Sequence, residues 1–441
     1  MAMATSGVAL GTTSALVDHL PPCSASSSAF ACGLGRSVVP TSLQRPAGLL
    51  LASSADDAAS LSPSGGLCKV SAALCLGVTA FSAASRRARR RGDGGHVKRR
   101  VLQPFVIEPI NTFMTDMKEM AKRLATPGRV VLDASEGPKE LQQRLKLAGA
   151  SGGGAAEDRA EWRRLLASGA LRDLCSGVVL DEEGLAQEGV VKALQDQGVA
   201  VGVRVDEGFF PMNGYGEIGT EGLVDLERRV QGCYQKGARF AKWRTRLKLN
   251  MELPTDIVVW ENTFRLAECA RHCQMNGLVT LIEIELESGN QDKHSLDRAS
   301  YVLEKVMSQT IRQLNEQDVA VEAIVLVPPT LSAGIGAPPA STESNVRATL
   351  RTLLRTAPPA VGGILALPGD RGSLKESARI LRELQESNTG PWPIVPIYGP
   401  LLLGPILETW IASGTDAAHQ LLARLLGASV ATQADLRSGF K

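Results

Sequence analysis

Short runs of β-branched and other apolar residues recur from about Asp116 onward, separated by longer stretches in which apolar positions return every three or four residues. Eight such runs can be counted: Arg129 to Leu132, Gly177 to Leu180, Val199 to Val205, Phe240 to Trp243, Leu278 to Glu285, Glu322 to Val327, Gly363 to Leu367 and Ile394 to Ile397. Continuous apolar runs of this length predict strands buried on both faces, as in a parallel sheet. The intervening segments predict helices over Asp158 to Ala167, Leu223 to Lys236, Thr255 to Asn276, Asp297 to Asn315, Thr342 to Thr356 and Ser373 to Glu386. Eight alternating βα units close naturally on themselves. The predicted fold is therefore α/β, a (β/α)8 TIM barrel, with a doubly wound open sheet as the alternative.

The pattern is absent from the first hundred or so residues. These are rich in Ala, Ser, Gly and Leu, contain only Asp18, Asp56, Asp57 and Asp93 as acids, and end in the basic runs Arg86-Arg87-Ala88-Arg89-Arg90-Arg91 and Lys98-Arg99-Arg100. Ser-rich, acid-poor N-termini of this kind are organelle-import sequences, set aside in fold reasoning. The apolar run Val70 to Ala84 falls short of the roughly 18 to 20 residues that span a bilayer as a helix. The expected organisation is a mostly unstructured targeting leader and linker over 1–108 and a barrel over 109–441. Plastid import is the expected destination, with the mitochondrion as the alternative.

Composition narrows function mainly by exclusion. A net charge of +2 on 441 residues, with 21% charged residues, provides no field that implies a nucleic-acid partner. Once the leader is set aside, Cys175, Cys233, Cys269 and Cys273 remain, without a CxxC pair, and the histidines form no HExxH. Neither metal nor cofactor is expected, and Cys269 and Cys273, four apart on a predicted helix, are expected to pack as small apolar residues.

Side chains two apart on a strand share a face, so polar i, i+2 pairs near the C-terminal end of a barrel strand point together into its mouth. Arg204 and Asp206 form such a pair on the third strand, Lys242 and Arg244 on the fourth, and Glu283 and Glu285 on the fifth. Any one pair fits a solvated face; three converging on one barrel end point to a site. Gly214-Tyr215-Gly216-Glu217-Ile218-Gly219 matches GxGxxG, but Phe209 to Asn213 before it is not the strand that a dinucleotide site requires, so a loop is expected. Gly369, after the seventh strand, stands where barrels often bind phosphate.

From about Met117 to the C-terminus the chain resembles the class I fructose-1,6-bisphosphate aldolases. The resemblance rests on Gly237-Ala238-Arg239-Phe240-Ala241-Lys242-Trp243-Arg244, on Arg204-Val205-Asp206-Glu207-Gly208, on Glu261-Asn262 and Gln274-Met275-Asn276-Gly277, and on Glu283-Ile284-Glu285. Pro358-Pro359-Ala360-Val361, Pro391-Trp392 and Tyr398-Gly399 extend it. It implies cleavage of fructose 1,6-bisphosphate to dihydroxyacetone phosphate and glyceraldehyde 3-phosphate, sugar-phosphate binding and a homotetramer. It also implies that Lys242 is the general-acid lysine, that Glu283 and Glu285 are the two carboxylates, and that Arg204 and Arg244 bind substrate.

The sequence departs from the family at other positions. The Schiff-base lysine of the sixth strand falls on Val327, in Val325-Leu326-Val327-Pro328-Pro329. The first-strand aspartate falls on Ser135, or on Asp133 if the match slips by two residues. The loop-seven serine falls on Pro368, leaving Gly369; the arginine after the eighth strand falls on Pro400; and a first-loop serine falls on Glu140. Losing charge-assisted contacts of roughly 1.5 to 3 kcal/mol each is expected to weaken sugar-phosphate binding. Three outcomes stay open: a catalytically impaired or pseudoenzyme barrel, an altered carbonyl lyase with Lys242 as its reactive lysine, and an active aldolase with a displaced lysine such as Lys248.

Overall fold

The computed structural model describes residues 108–150, 154–367 and 374–438. The leader expected over 1–108, including Val70 to Ala84, lies outside the described residues except for Glu108, as do Pro368 and Gly369.

Eight parallel strands form a closed barrel. In chain order they are β1 (Val130–Ala134), β2 (Cys175–Leu180) and β3 (Ala200–Arg204), then, past a two-stranded hairpin of β4 (Gly208–Pro211) and β5 (Ile218–Glu221), β6 (Phe240–Lys248), β7 (Val279–Glu287), β8 (Ile324–Val327), β9 (Ile364–Ala366) and β10 (Ile394–Tyr398). The (β/α)8 expectation holds, and each apolar run supplies one barrel strand. The six predicted helices form within a few residues of their expected bounds.

Two differences bear on function. β6 and β7 run well past the expected ends, pairing in register as far as Lys248 and Glu287, so they rise above the barrel rim as a two-stranded arm. The expected loop Gly214 to Gly219 is the turn of the β4–β5 hairpin and the start of β5, whereas Phe209 to Pro211, not expected as a strand, lie in β4; the pair is antiparallel from Gly208–Glu221 to Pro211–Ile218. Its glycines serve the hairpin: Gly216 takes a positive φ of 73° in the turn, and a Cβ on Gly219 would fall 2.4 Å from the Phe210 ring. Glu217, fully buried, accepts hydrogen bonds from the Thr255 N–H at 2.8 Å and its hydroxyl at 2.7 Å, which fastens the turn to helix Asp256–Met275.

The barrel interior changes character from bottom to top. At the N-terminal ends of the strands, helix Glu108–Leu124 acts as a plug: Met117, Ala121, Leu124 and Ala125 share one core with Val131, Val179, Phe240, Leu281, Val325, Val327 and Ile397. Two residues further along several of these strands, the same inward face turns charged, with Asp133 after Val131, Lys242 after Phe240 and Glu283 after Leu281. A second, larger core fills the space between the strands' outer faces and the helices. Cys269 and Cys273 belong to it, fully buried, as expected of small apolar residues.

Phe240 makes the bottom layer possible and is itself made possible by glycine. A Cβ on Gly202 would lie 2.1 Å from Phe240 Cε2, and one on Gly177 would lie 3.1 Å from the same ring. Overpacking of this kind costs about 1 to 3 kcal/mol. Gly202→Ala is therefore expected to lower the unfolding free energy by that much, read as a lower urea midpoint at unchanged slope, and Gly202→Ala with Phe240→Leu to regain part of the loss. An undiminished midpoint in the single variant would contradict this packing.

Candidate active site

The strand register builds the site. β6 and β7 pair Arg244 with Glu283 and Arg246 with Glu285, while β7 and β8 pair Glu283 with Val327. Asp133 comes from β1, three strands away from β6 around the closed sheet, so its contact with Lys242 crosses the lumen.

Lys242 is the centre of the cluster. Its side chain is 4% exposed; its Nζ donates to Asp133 Oδ2 and lies 2.6 Å from Glu283 Oε2. Burial alone would lower its pKa, but the Asp133 and Glu283 carboxylates outweigh that and hold it above the ordinary lysine value. The amine is thus held charged. The two acids diverge. For Asp133 burial opposes ionisation, yet Lys242 and the Ser135 donors prevail and set its carboxyl below the usual range. For Glu283 burial dominates, aided by the Asp133 charge, and pushes its carboxyl up in spite of Lys242. Divergent pKa values within one pair mark the different tasks each acid can perform.

Of the two residues that the sequence left open, one reaches the lysine. Asp133, not Ser135, faces Lys242. Ser135 lies just past the end of β1, where its N–H and its hydroxyl both donate to Asp133 Oδ1.

The remaining predicted residues gather on the same rim. Asp206, 4% exposed, accepts the Arg244 N–H at 3.1 Å and lies 3.8 Å from Arg204 Nε. Burial raises its carboxyl against the pull of Arg204, Arg244 and Lys242. Arg244 is held cationic by Asp206, Glu283, Glu285 and Asp133 in spite of burial; its Nε is buried with no hydrogen-bond partner among the described residues. Glu140 Oε2 and Arg204 Nη2 converge over Gly137, 2.3 and 3.2 Å from where its Cβ would stand.

Glu285 is the exception: it is near the cluster but turned away from Lys242, bound instead to Arg246 Nε at 2.9 Å. Arg246 escaped notice in the sequence, although it extends the Lys242, Arg244 series by one more i+2 step. Phe209 from the hairpin supports the pair of arginines, with the Arg244 and Arg246 guanidinium carbons 5.4 and 4.9 Å from its ring centroid. Such contacts are worth roughly 0.5 to 2 kcal/mol each.

No lysine stands on β8; Val327 at its end is fully buried. Lys242 and Lys248 are the lysines of the barrel strands. Lys248 lies six residues beyond Lys242, about 20 Å along the strand at ~3.3 Å per residue, and donates to the Tyr215 carbonyl at 3.2 Å. Pro400 opens helix Pro400–Ser413 directly after β10. The Gly369 position is among the residues not described.

Comparison with known proteins gives a consistent picture. Residues 116–439 match the family model for fructose-bisphosphate aldolase class-I. Fructose-bisphosphate aldolase C-B of Danio rerio is 33% identical over 304 residues, covering 67% of this chain and 83% of that protein. Fructose-bisphosphate aldolase of Schistosoma mansoni is 33% identical over 340 residues, 74% of this chain and 91% of its own. Among solved structures, the fructose-bisphosphate aldolase of Plasmodium falciparum in complex with TRAP and a small-molecule inhibitor superposes with a TM-score of 0.69 at 29% identity, covering 74% of this chain and 95% of that one.

Because Asp133 carries a pKa below its unfolded value, its contribution to stability is present above the ordinary carboxylate range and lost as pH falls through its folded value. Asp133→Asn is expected to cost about 2 kcal/mol at neutral pH, the scale of a charge-assisted hydrogen bond. The gap from wild type should close in strong acid. Urea titrations at several pH values test this, and a gap independent of pH would show that Asp133 is not ionised against Lys242.

Proposed function

The chain belongs to the class I fructose-bisphosphate aldolase family, and from that premise we propose that it is a member that does not cleave fructose 1,6-bisphosphate through a lysine Schiff base. The observation that carries this is Val327: a fully buried valine ends β8 beside Glu283, where the family resemblance implies the reactive lysine. An alkyl side chain has no electron pair with which to attack a ketone.

Neither alternative lysine replaces it. Lys242 is held charged between Asp133 and Glu283, and only a neutral amine attacks a carbonyl. Lys248 is tied to the arm far above the cluster. Neither an altered lyase acting through Lys242 nor an aldolase with a displaced lysine therefore has an observation in its favour. In this proposal the barrel remains a binding site for sugar phosphates or related carbonyl compounds, weakened toward bisphosphates, in a homotetramer of plastid location.

Purified protein incubated with fructose 1,6-bisphosphate or dihydroxyacetone phosphate and borohydride is expected to gain no mass and to release no triose phosphate. Val327→Lys is expected to be trapped under the same conditions, because burial lowers the pKa of an introduced lysine. Trapping of the wild-type chain on any lysine would overturn the proposal. A fluorescent protein fused behind residues 1–108 is expected to enter plastids; mitochondrial or cytosolic signal would refute that location.

A further inference from the structure

A cluster unable to form a Schiff base keeps the parts for a different reaction. Lys242 is an ammonium buried at the base of the mouth, donating to Asp133 and ion-paired with Glu283, which leaves the third of its N–H bonds to offer elsewhere. Glu283, 6% exposed, has its Oε2 2.6 Å from that ammonium, yet the oxygen receives no aligned hydrogen bond. Arg244, next on the same face, has a buried Nε with no partner among the described residues. A buried guanidinium N–H left unmatched in this way is costly unless something else completes it. The apolar Val327 lies beside Glu283 in the strand register.

An acid–base pair in contact around a shared apolar wall is suited to moving a proton next to a carbonyl. We infer that Glu283 and Lys242 enolise α-hydroxy ketones without a covalent intermediate, Glu283 as base and Lys242 as the donor to the carbonyl oxygen. The Glu283 carboxylate takes a proton from the carbon beside the carbonyl, and the electron pair of that C–H bond becomes the new C=C bond. The π pair of the C=O bond moves onto oxygen, which receives a proton from Lys242 Nζ, giving a neutral enediol. Return of a proton from Glu283 to the same carbon, with Lys242 recovering its own from the enol oxygen, restores the ketone; no oxidant, reductant or metal enters the balance.

The divergent acids support this assignment. Asp133, held low, stays ionised and keeps Lys242 charged, while Glu283, pushed up, is a stronger base than an ordinary carboxylate. Arg244 is placed to bear charge that develops on the enediol oxygens. The inference rests on the absence of a Schiff base proposed above, and the test separates the two.

Dihydroxyacetone phosphate and unphosphorylated dihydroxyacetone are incubated with the full chain in deuterated buffer, and loss of the carbon-bound proton signal is followed by NMR. Exchange above the buffer rate is expected, confined to one of the two prochiral hydrogens and unaffected by prior borohydride treatment with ketone. Glu283→Gln is expected to lower it by about 10²-fold, the lower end of what acid–base catalysis supplies, Glu283→Asp by less, and Lys248→Ala not at all. If Glu283→Gln fails to fold, the wild-type pH profile decides, since exchange should rise with pH through an apparent pKa above the usual carboxylate range. Exchange at the buffer rate, exchange equal in Glu283→Gln, or a flat profile overturns this inference and leaves the non-covalent reading of the barrel standing. Exchange abolished by borohydride, with mass gained on a lysine, overturns both.

Discussion

A lysine ammonium in the middle of a barrel has to be answered by carboxylates before the fold can close around it. Lys242 is answered twice, by Asp133 from across the lumen and by Glu283 from the neighbouring strand. Leaving such a charge buried without either partner would cost several kcal/mol. The contact thus ties β1 to β6, which share no backbone hydrogen bonds, and it sets the boundary between the apolar plug below and the charged rim above. Two acids around one base leave an excess negative charge, which Arg244 offsets through its electrostatic coupling to both. Arg246, Glu285 and Phe209 extend the same alternation of sign up the arm.

What the sequence disclosed follows from how locally each feature is specified. The eight strands were legible because a parallel strand buried on both faces must be apolar at nearly every position, and the chain has eight short runs that meet this requirement. The ends of β6 and β7 were not legible, because above the rim one face is charged and the other buried, so Arg244-Thr245-Arg246-Leu247-Lys248 reads as a solvated segment. In the fold, Thr245 and Leu247 are fully buried beneath those charges. The hairpin was hidden by glycine: Gly216 and Gly219 look like loop punctuation, and only the Phe210 ring against Gly219 explains the second of them.

The site residues divide along the same line. Period-two spacing found Lys242, Arg244, Glu283, Arg204 and Asp206, since each lies two residues along the chain from a partner, although β3 itself ends at Arg204. It could not separate Asp133 from Ser135, which share a face; a contact with Lys242, 109 residues away, decides between them. For Glu285 it gave the face and not the partner, because facing the mouth and touching the central lysine are different conditions. The first is set by strand parity and the second by the competing partner Arg246.

The joint state of Lys242 and Val327 bears most directly on chemistry. A Schiff base needs a neutral amine, and a buried lysine becomes neutral when desolvation or a neighbouring cation outweighs its counter-charges. At Lys242 the balance runs the other way, with two carboxylates overriding complete burial. That arrangement is unsuited to a nucleophile and keeps the amine as a charged hydrogen-bond donor. At Val327 burial is just as complete but no ionisable group is present, so the wall that faces Glu283 adds no competing charge and lets desolvation raise that carboxyl.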